Sequence, residues 1–95
     1  MGVEIDFASF SAKAKSNGLQ IGKRYRFRGT LGQDLTELCS PGGGGAGMLF
    51  NVVPELDDPT QQETALKKLA DNWKTVYTIV ASMGYDGKIH VHRVE

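Results

Sequence analysis

Alternation over residues 22–31, Gly-Lys-Arg-Tyr-Arg-Phe-Arg-Gly-Thr-Leu, constrains this chain more than any other stretch. Tyr25, Phe27, Gly29 and Leu31 fall on one face of the run, and Arg24, Arg26, Arg28 and Thr30 on the other. A strand sends successive side chains to opposite sides of a sheet, so bulk on one side and charge on the other predicts a half-buried strand. One face must meet a core. The other carries three guanidinium groups.

A chain of 95 residues has room for one such core and one domain, spanning 1–95. With 40% hydrophobic and 23% charged residues, its composition excludes a fibre or a wholly disordered chain. Eleven basic residues balance eleven acidic ones, so no net charge draws the chain to nucleic acid or to an anionic membrane. The charges are nevertheless segregated. Between Lys13 and Arg28 stand six Lys or Arg and no acid, whereas Gly29 to Leu66 holds six acids and no base. A basic patch is therefore possible, although a barrel can interleave the two segments.

Cys39 stands alone, which rules out an intramolecular disulfide and fits a reducing compartment. No run approaches the roughly 18 apolar residues of a membrane span, and Met-Gly-Val-Glu-Ile-Asp does not open like a signal peptide. Asp6 also breaks the myristoylation pattern. The expectation is a cytoplasmic protein without membrane attachment.

Along the chain, Asp6 is placed to cap a helix from Phe7 to about Lys15, with Phe7, Phe10 and Ala14 on one face. Asn17-Gly18 supplies a left-handed end, which makes residues 1–18 an N-terminal helical extension that plugs one end of the core. The strand at Lys23 to Leu31 follows, then a turn at Gly32-Gln33-Asp34 and a weaker strand over about Leu35 to Ser40. Residues 41–47, Pro-Gly-Gly-Gly-Gly-Ala-Gly, read as a flexible loop, because four consecutive glycines have the most backbone entropy to lose. A phosphate cradle would need a helix and usually a Lys-Ser or Lys-Thr pair next, but the strand-like Met48-Leu49-Phe50 follows instead.

Met48 to Val53 reads as a strand ended by Pro54. Asp58 as cap, Pro59 at the first helical position and Gln61 reaching back then start a helix to about Lys74, with Leu66, Leu69, Ala70 and Trp73 on its core stripe. Thr75 to Met83 is β-branched and aromatic, Asp86-Gly87 is a hairpin turn, and Lys88 to Val94 is the last strand.

The opening basic strand, the capped helix ending at Trp73, and the closing Val76-Tyr77-Thr78-Ile79-Val80 with Gly84-Tyr85-Asp86-Gly87-Lys88-Ile89 give an element order. In that order, over about residues 20–95, the chain resembles the oligonucleotide/oligosaccharide-binding (OB) fold. That is a mainly β architecture, a five-stranded Greek-key barrel with a helix between strands three and four. A two-layer α+β sandwich uses the same elements and is the alternative. The resemblance implies a binding face at Thr36, Leu38, Leu49, Asn51 and Val53, flanked by loops at Gly32, Gln33 and Asp34 and at Tyr85, Asp86 and Lys88. Those strands carry Glu37 and no Lys or Arg, which is not the basic groove that single-strand binding requires.

The candidate nucleic-acid-binding residues are therefore Lys23, Arg24, Arg26, Arg28, Tyr85 and Lys88. The commoner role of such a row is a solvated strand face that pairs with nearby acids. His90 and His92 lie two apart on a strand, facing the same way. They supply two ligands where zinc takes three or four, so a solvated pair is expected, with no metal and no other cofactor. No nucleophile, base and orienting group stand in a recognisable order, and no catalytic residue is assigned. The expected protein is a binding module and not an enzyme. Its partner is single-stranded nucleic acid through the arginine row or, alternatively, another protein through a scaffold-type surface.

Overall fold

A computed structural model describes residues 2–31, 37–39, 50–61 and 76–95. Its elements in chain order are β1 (Val3–Glu4), α1 (Phe7–Lys15), β2 (Arg24–Leu31), β3 (Glu37–Cys39), β4 (Phe50–Pro54), β5 (Tyr77–Met83) and β6 (Ile89–Val94). The alternating run is the strand around which the others assemble.

Helix α1 begins and ends where its side chains dictate. Asp6 takes an extended conformation and accepts from the Ser9 amide at 2.6 Å, satisfying one of the orphan donors of the first turn. At the other end Asn17 sits at φ 58°, and the Gly18 amide returns to the Lys13 carbonyl at 2.6 Å. That left-handed residue closes the last turn. Phe7 and Phe10 point inward. Phe10 is fully buried, stacks on Phe27 at 4.2 Å and meets Tyr25 edge-on at 5.9 Å, so the helix does plug the core.

Strand β2 joins two neighbours on one edge and one on the other. β1 runs parallel to its first half (Val3 opposite Tyr25), and β3 runs antiparallel to its last residues (Leu31 opposite Leu38). On the far edge β5 pairs antiparallel from Arg24 opposite Ser82 to Gly29 opposite Tyr77. β3 pairs antiparallel with β4, β4 runs parallel to β6, and β6 pairs antiparallel with β5. The ring β2-β3-β4-β6-β5 closes on itself, giving a five-stranded mixed barrel with β1 as an extra strand. A two-layer sandwich is excluded by that closure.

The barrel interior is filled as the alternation requires. Tyr25, Phe27 and Leu31 from β2, Leu38 from β3, Val52 from β4 and Ile79 from β5 are all buried in one cluster. Thr30 departs from the expected pattern, because it is buried although it lies on the arginine face. Strand β4 ends at Pro54 as expected, with Pro54 itself its last paired residue, opposite Val91. Pro59 to Gln61 are helical, with Asp58 Oδ1 accepting from the Thr60 amide at 3.0 Å and the Thr60 hydroxyl at 2.7 Å, so the expected helix start is present. The rest of that helix with Trp73, the glycine-rich loop and the turn at residues 32–34 lie outside the described residues.

Candidate functional site

The outer face of β2 carries the three arginines as the alternation predicts, but carboxylates from distant parts of the chain come to two of them. Arg24 makes a two-pronged pair with Asp57, Nη1 to Oδ2 and Nη2 to Oδ1, both at 2.7 Å. This planar fork raises the guanidinium pKa and holds the Asp57 carboxyl below its ordinary value, in each case chiefly through the shared hydrogen bonds. Arg26 reaches Glu4 at 2.9 Å and Glu95 at 3.1 Å. Among the described residues Arg28 has no ion pair and is exposed.

Arg28 and Arg26 line a cleft of about 580 Å³ with Glu4, Ile5, Asp6, Phe7, Phe27 and Thr78. Glu4 is engaged by Arg26 and Asp6 by the helix start, so among the described residues Arg28 is the charge in this cleft without an ion-pair partner.

Arg24 and Tyr85 belong to a second cleft, of about 250 Å³, lined also by Ile21, Glu55, Ser82, Met83, His90 and His92. The six residues expected to form one basic surface are therefore divided. Lys23 places its ammonium 5.7 Å from the centre of the Tyr25 ring, and Lys88 is exposed on the β5–β6 turn. The chain matches no known protein family, curated protein or solved structure.

The second cleft holds what sequence reasoning missed. His90 and His92 do lie on one side of β6, but they are not a solvated pair. His92 is 9% exposed; its Nε2 lies 2.6 Å from Ser82 Oγ and its Nδ1 is 3.1 Å from the Glu55 carbonyl. Both ring nitrogens are thereby satisfied. Opposite β5, Ala81 pairs with Val91 and Val80 with Arg93, so His92 is the extra residue of a β-bulge, and its ring is re-aimed toward the segment leaving β4.

His90 has Asp86 on Nε2 and Glu55 beside Nδ1. Asp86, four residues ahead of His90, was the only part of this arrangement visible as a spacing: residues on either side of a tight turn face each other. Among the described residues no group of three or more His, Cys, Asp or Glu is arranged to hold a metal ion.

Of the binding face implied by the OB resemblance, Leu38 is fully buried in the core and unavailable to a ligand, while Asn51 is exposed and Val53 half-buried. Thr36, Leu49 and residues 32–34 lie outside the described residues. Tyr85, at the hairpin tip, is 95% exposed. Among the described residues no helix is long and apolar enough to cross a membrane.

Proposed function

We propose that this chain is a binding module of the OB type that takes an acidic segment of a partner protein in the cleft beside Arg28. The strand order supports the fold reading. Counted within the barrel, the order is first, second, third, fifth, fourth and back to the first, with only the third and fifth parallel and a helix starting between the third and fourth.

The choice of ligand rests on the ion pairs of the arginine row. A single nucleic-acid strand needs successive cations and stacking platforms, whereas Arg24 and Arg26 are already neutralised by Asp57, Glu4 and Glu95. Arg28, without an ion pair among the described residues and lining the cleft with Ile5, Phe7 and Phe27, matches a single carboxylate carried on an apolar segment. Tyr85 and Lys88, both exposed on the β5–β6 turn, favour the nucleic-acid reading, because an exposed ring can stack a base and a cation can meet its phosphate.

Fluorescence anisotropy separates the two. The probes are a labelled peptide alternating Glu with Leu, and labelled single-stranded DNA and RNA oligomers, each at low and moderate salt. The expected result is peptide binding that weakens about tenfold or more in Arg28→Ala, the loss of one charge-assisted bond, with no oligomer bound at low salt. Oligomer binding that falls steeply with salt would replace this reading by the nucleic-acid one. Binding of neither probe would retire both.

A further inference from the structure

His90 lies between two carboxylates that come from different parts of the chain. Its Nε2 is 3.0 Å from Asp86 Oδ1 and 3.1 Å from Oδ2, and its Nδ1 is 2.7 Å from Glu55 Oε2. Asp86 belongs to the turn between β5 and β6. Glu55 belongs to the segment leaving β4, which is tied to β6 by the Glu55 amide on the Val91 carbonyl at 2.8 Å. The ring is therefore a bridge between the hairpin tip and a neighbouring strand end.

We infer that His90 is a proton-operated clamp, which holds Glu55 as a wall of the cleft beside Tyr85 only while both ring nitrogens carry hydrogen. The reason is a count of donors. A neutral imidazole has one N–H and one lone pair, so it can donate to one carboxylate and must present a lone pair to the other. Only the imidazolium turns an N–H and a positive charge toward both.

The geometry also names the proton that leaves. Asp86 is fixed in place, since its Oδ1 also accepts the Lys88 amide at 3.0 Å, and it presents both oxygens to Nε2. Glu55 meets Nδ1 at ion-pair distance but off the line of a hydrogen bond, and Nδ1 is buried without another partner. The Nε2–H bond to Asp86 is the better one, so Nδ1 gives up its proton. The Glu55 carboxylate then faces a lone pair, and its side chain, 63% exposed, has solvent to turn into.

The other charged and titratable groups nearby do not reverse this. Arg24 is committed to Asp57, His92 to Ser82 and the Glu55 carbonyl, and Lys88 is exposed. The hydrogen bond to Asp86 raises the His90 pKa above the ordinary 6.5 against the opposing pull of burial, and the Asp86 charge and the Glu55 carboxylate add to the rise. The cleft lined by Ile21, Arg24, Ser82 and Tyr85 thus has a closed wall at lower pH and an open one at higher pH.

A ring-nitrogen NMR titration of the ¹⁵N,¹³C-labelled protein tests the clamp. The expected midpoint lies above 6.5, the neutral ring carries its hydrogen on Nε2, and the Glu55 carboxyl carbon shifts with the same midpoint. Glu55→Gln lowers the midpoint, and Asp86→Asn lowers it further. A midpoint at or below that of free histidine, a neutral ring protonated on Nδ1, or a Glu55 carboxyl indifferent to the titration overturns it. Should Asp86→Asn lose the hairpin, the wild-type and Glu55→Gln titrations still decide.

Discussion

Single residues in this barrel divide sharply into those whose loss the fold must feel and those it tolerates. Phe10 is fully buried between α1 and β2 and packs on both Phe27 and Tyr25. Phe10→Ala removes that contact area and leaves a cavity, so urea unfolding should show a loss of about 3–5 kcal/mol. For a domain of this size such a loss is a large share of the total. Arg24 lies at the opposite extreme. Its fork on Asp57 is well aligned, but the two side chains are 34% and 45% exposed, and solvent screens the pair. Arg24→Ala should cost no more than about 1 kcal/mol in the same experiment. A larger loss would mean that the arginine's stem packs on the barrel more than its charge matters.

At the scale of elements, α1 and the β5–β6 hairpin each depend on one backbone position. Asn17 closes the helix at φ 58°, a conformation that costs residues with a Cβ about 1–2 kcal/mol and that Asn tolerates best after Gly. Asn17→Ala is expected to lower stability by about 1 kcal/mol, and Asn17→Gly to leave it near wild type, both read from the urea midpoint. In the hairpin, a Cβ on Gly84 would come within 2.5 Å of His90 Nε2 and 2.7 Å of Asp86 Oδ1. Gly84→Ala must therefore push the ring off its carboxylate. The titration midpoint of His90 falls in that variant, while stability drops by no more than about 1 kcal/mol, because the atoms in the way are side-chain tips that can turn aside. An unchanged midpoint would show that the turn can rearrange around the added methyl group.

For the whole molecule, the ionisable groups set a stability optimum on the acid side of neutrality. Asp57 and Asp86 have carboxyl pKa values below the ordinary 3.8, through hydrogen bonds from Arg24 and from His90 and the Lys88 amide. Their contribution is complete above 3.8 and is lost as pH falls through the lower folded values. His90 acts in the other direction, because its folded pKa is raised. Its contribution is complete below 6.5 and is lost as pH rises through the folded value. Thermal unfolding should accordingly give a midpoint that is highest between about pH 4 and 6.5 and declines on both sides. Glu55→Gln and Asp86→Asn should flatten the alkaline limb. A profile still rising above pH 7 would contradict the raised His90 value.

Much of this was legible along the chain, and the rest was not for a physical reason. The strand at Arg24–Leu31, the Asp6 start and Asn17 end of α1, the Asp58 start of the second helix and the tight β5–β6 turn follow from side-chain period and from contacts within about four residues. The amino-acid order alone settles such features. It also settled that the arginines would share an outer face and that His90 and His92 would point together. Which acids the arginines meet was decided elsewhere. Asp57, Glu4 and Glu95 lie 33, 22 and 69 residues from their partners, and only barrel closure sets them beside β2. The same closure buried Leu38 and Thr30, and the bulge at His92 turned a pair expected in solvent into two rings held by Ser82, Glu55 and Asp86. Local periodicity says which way a side chain points. What it meets there depends on strands brought together from the whole length of the chain, and only the tertiary structure holds that information.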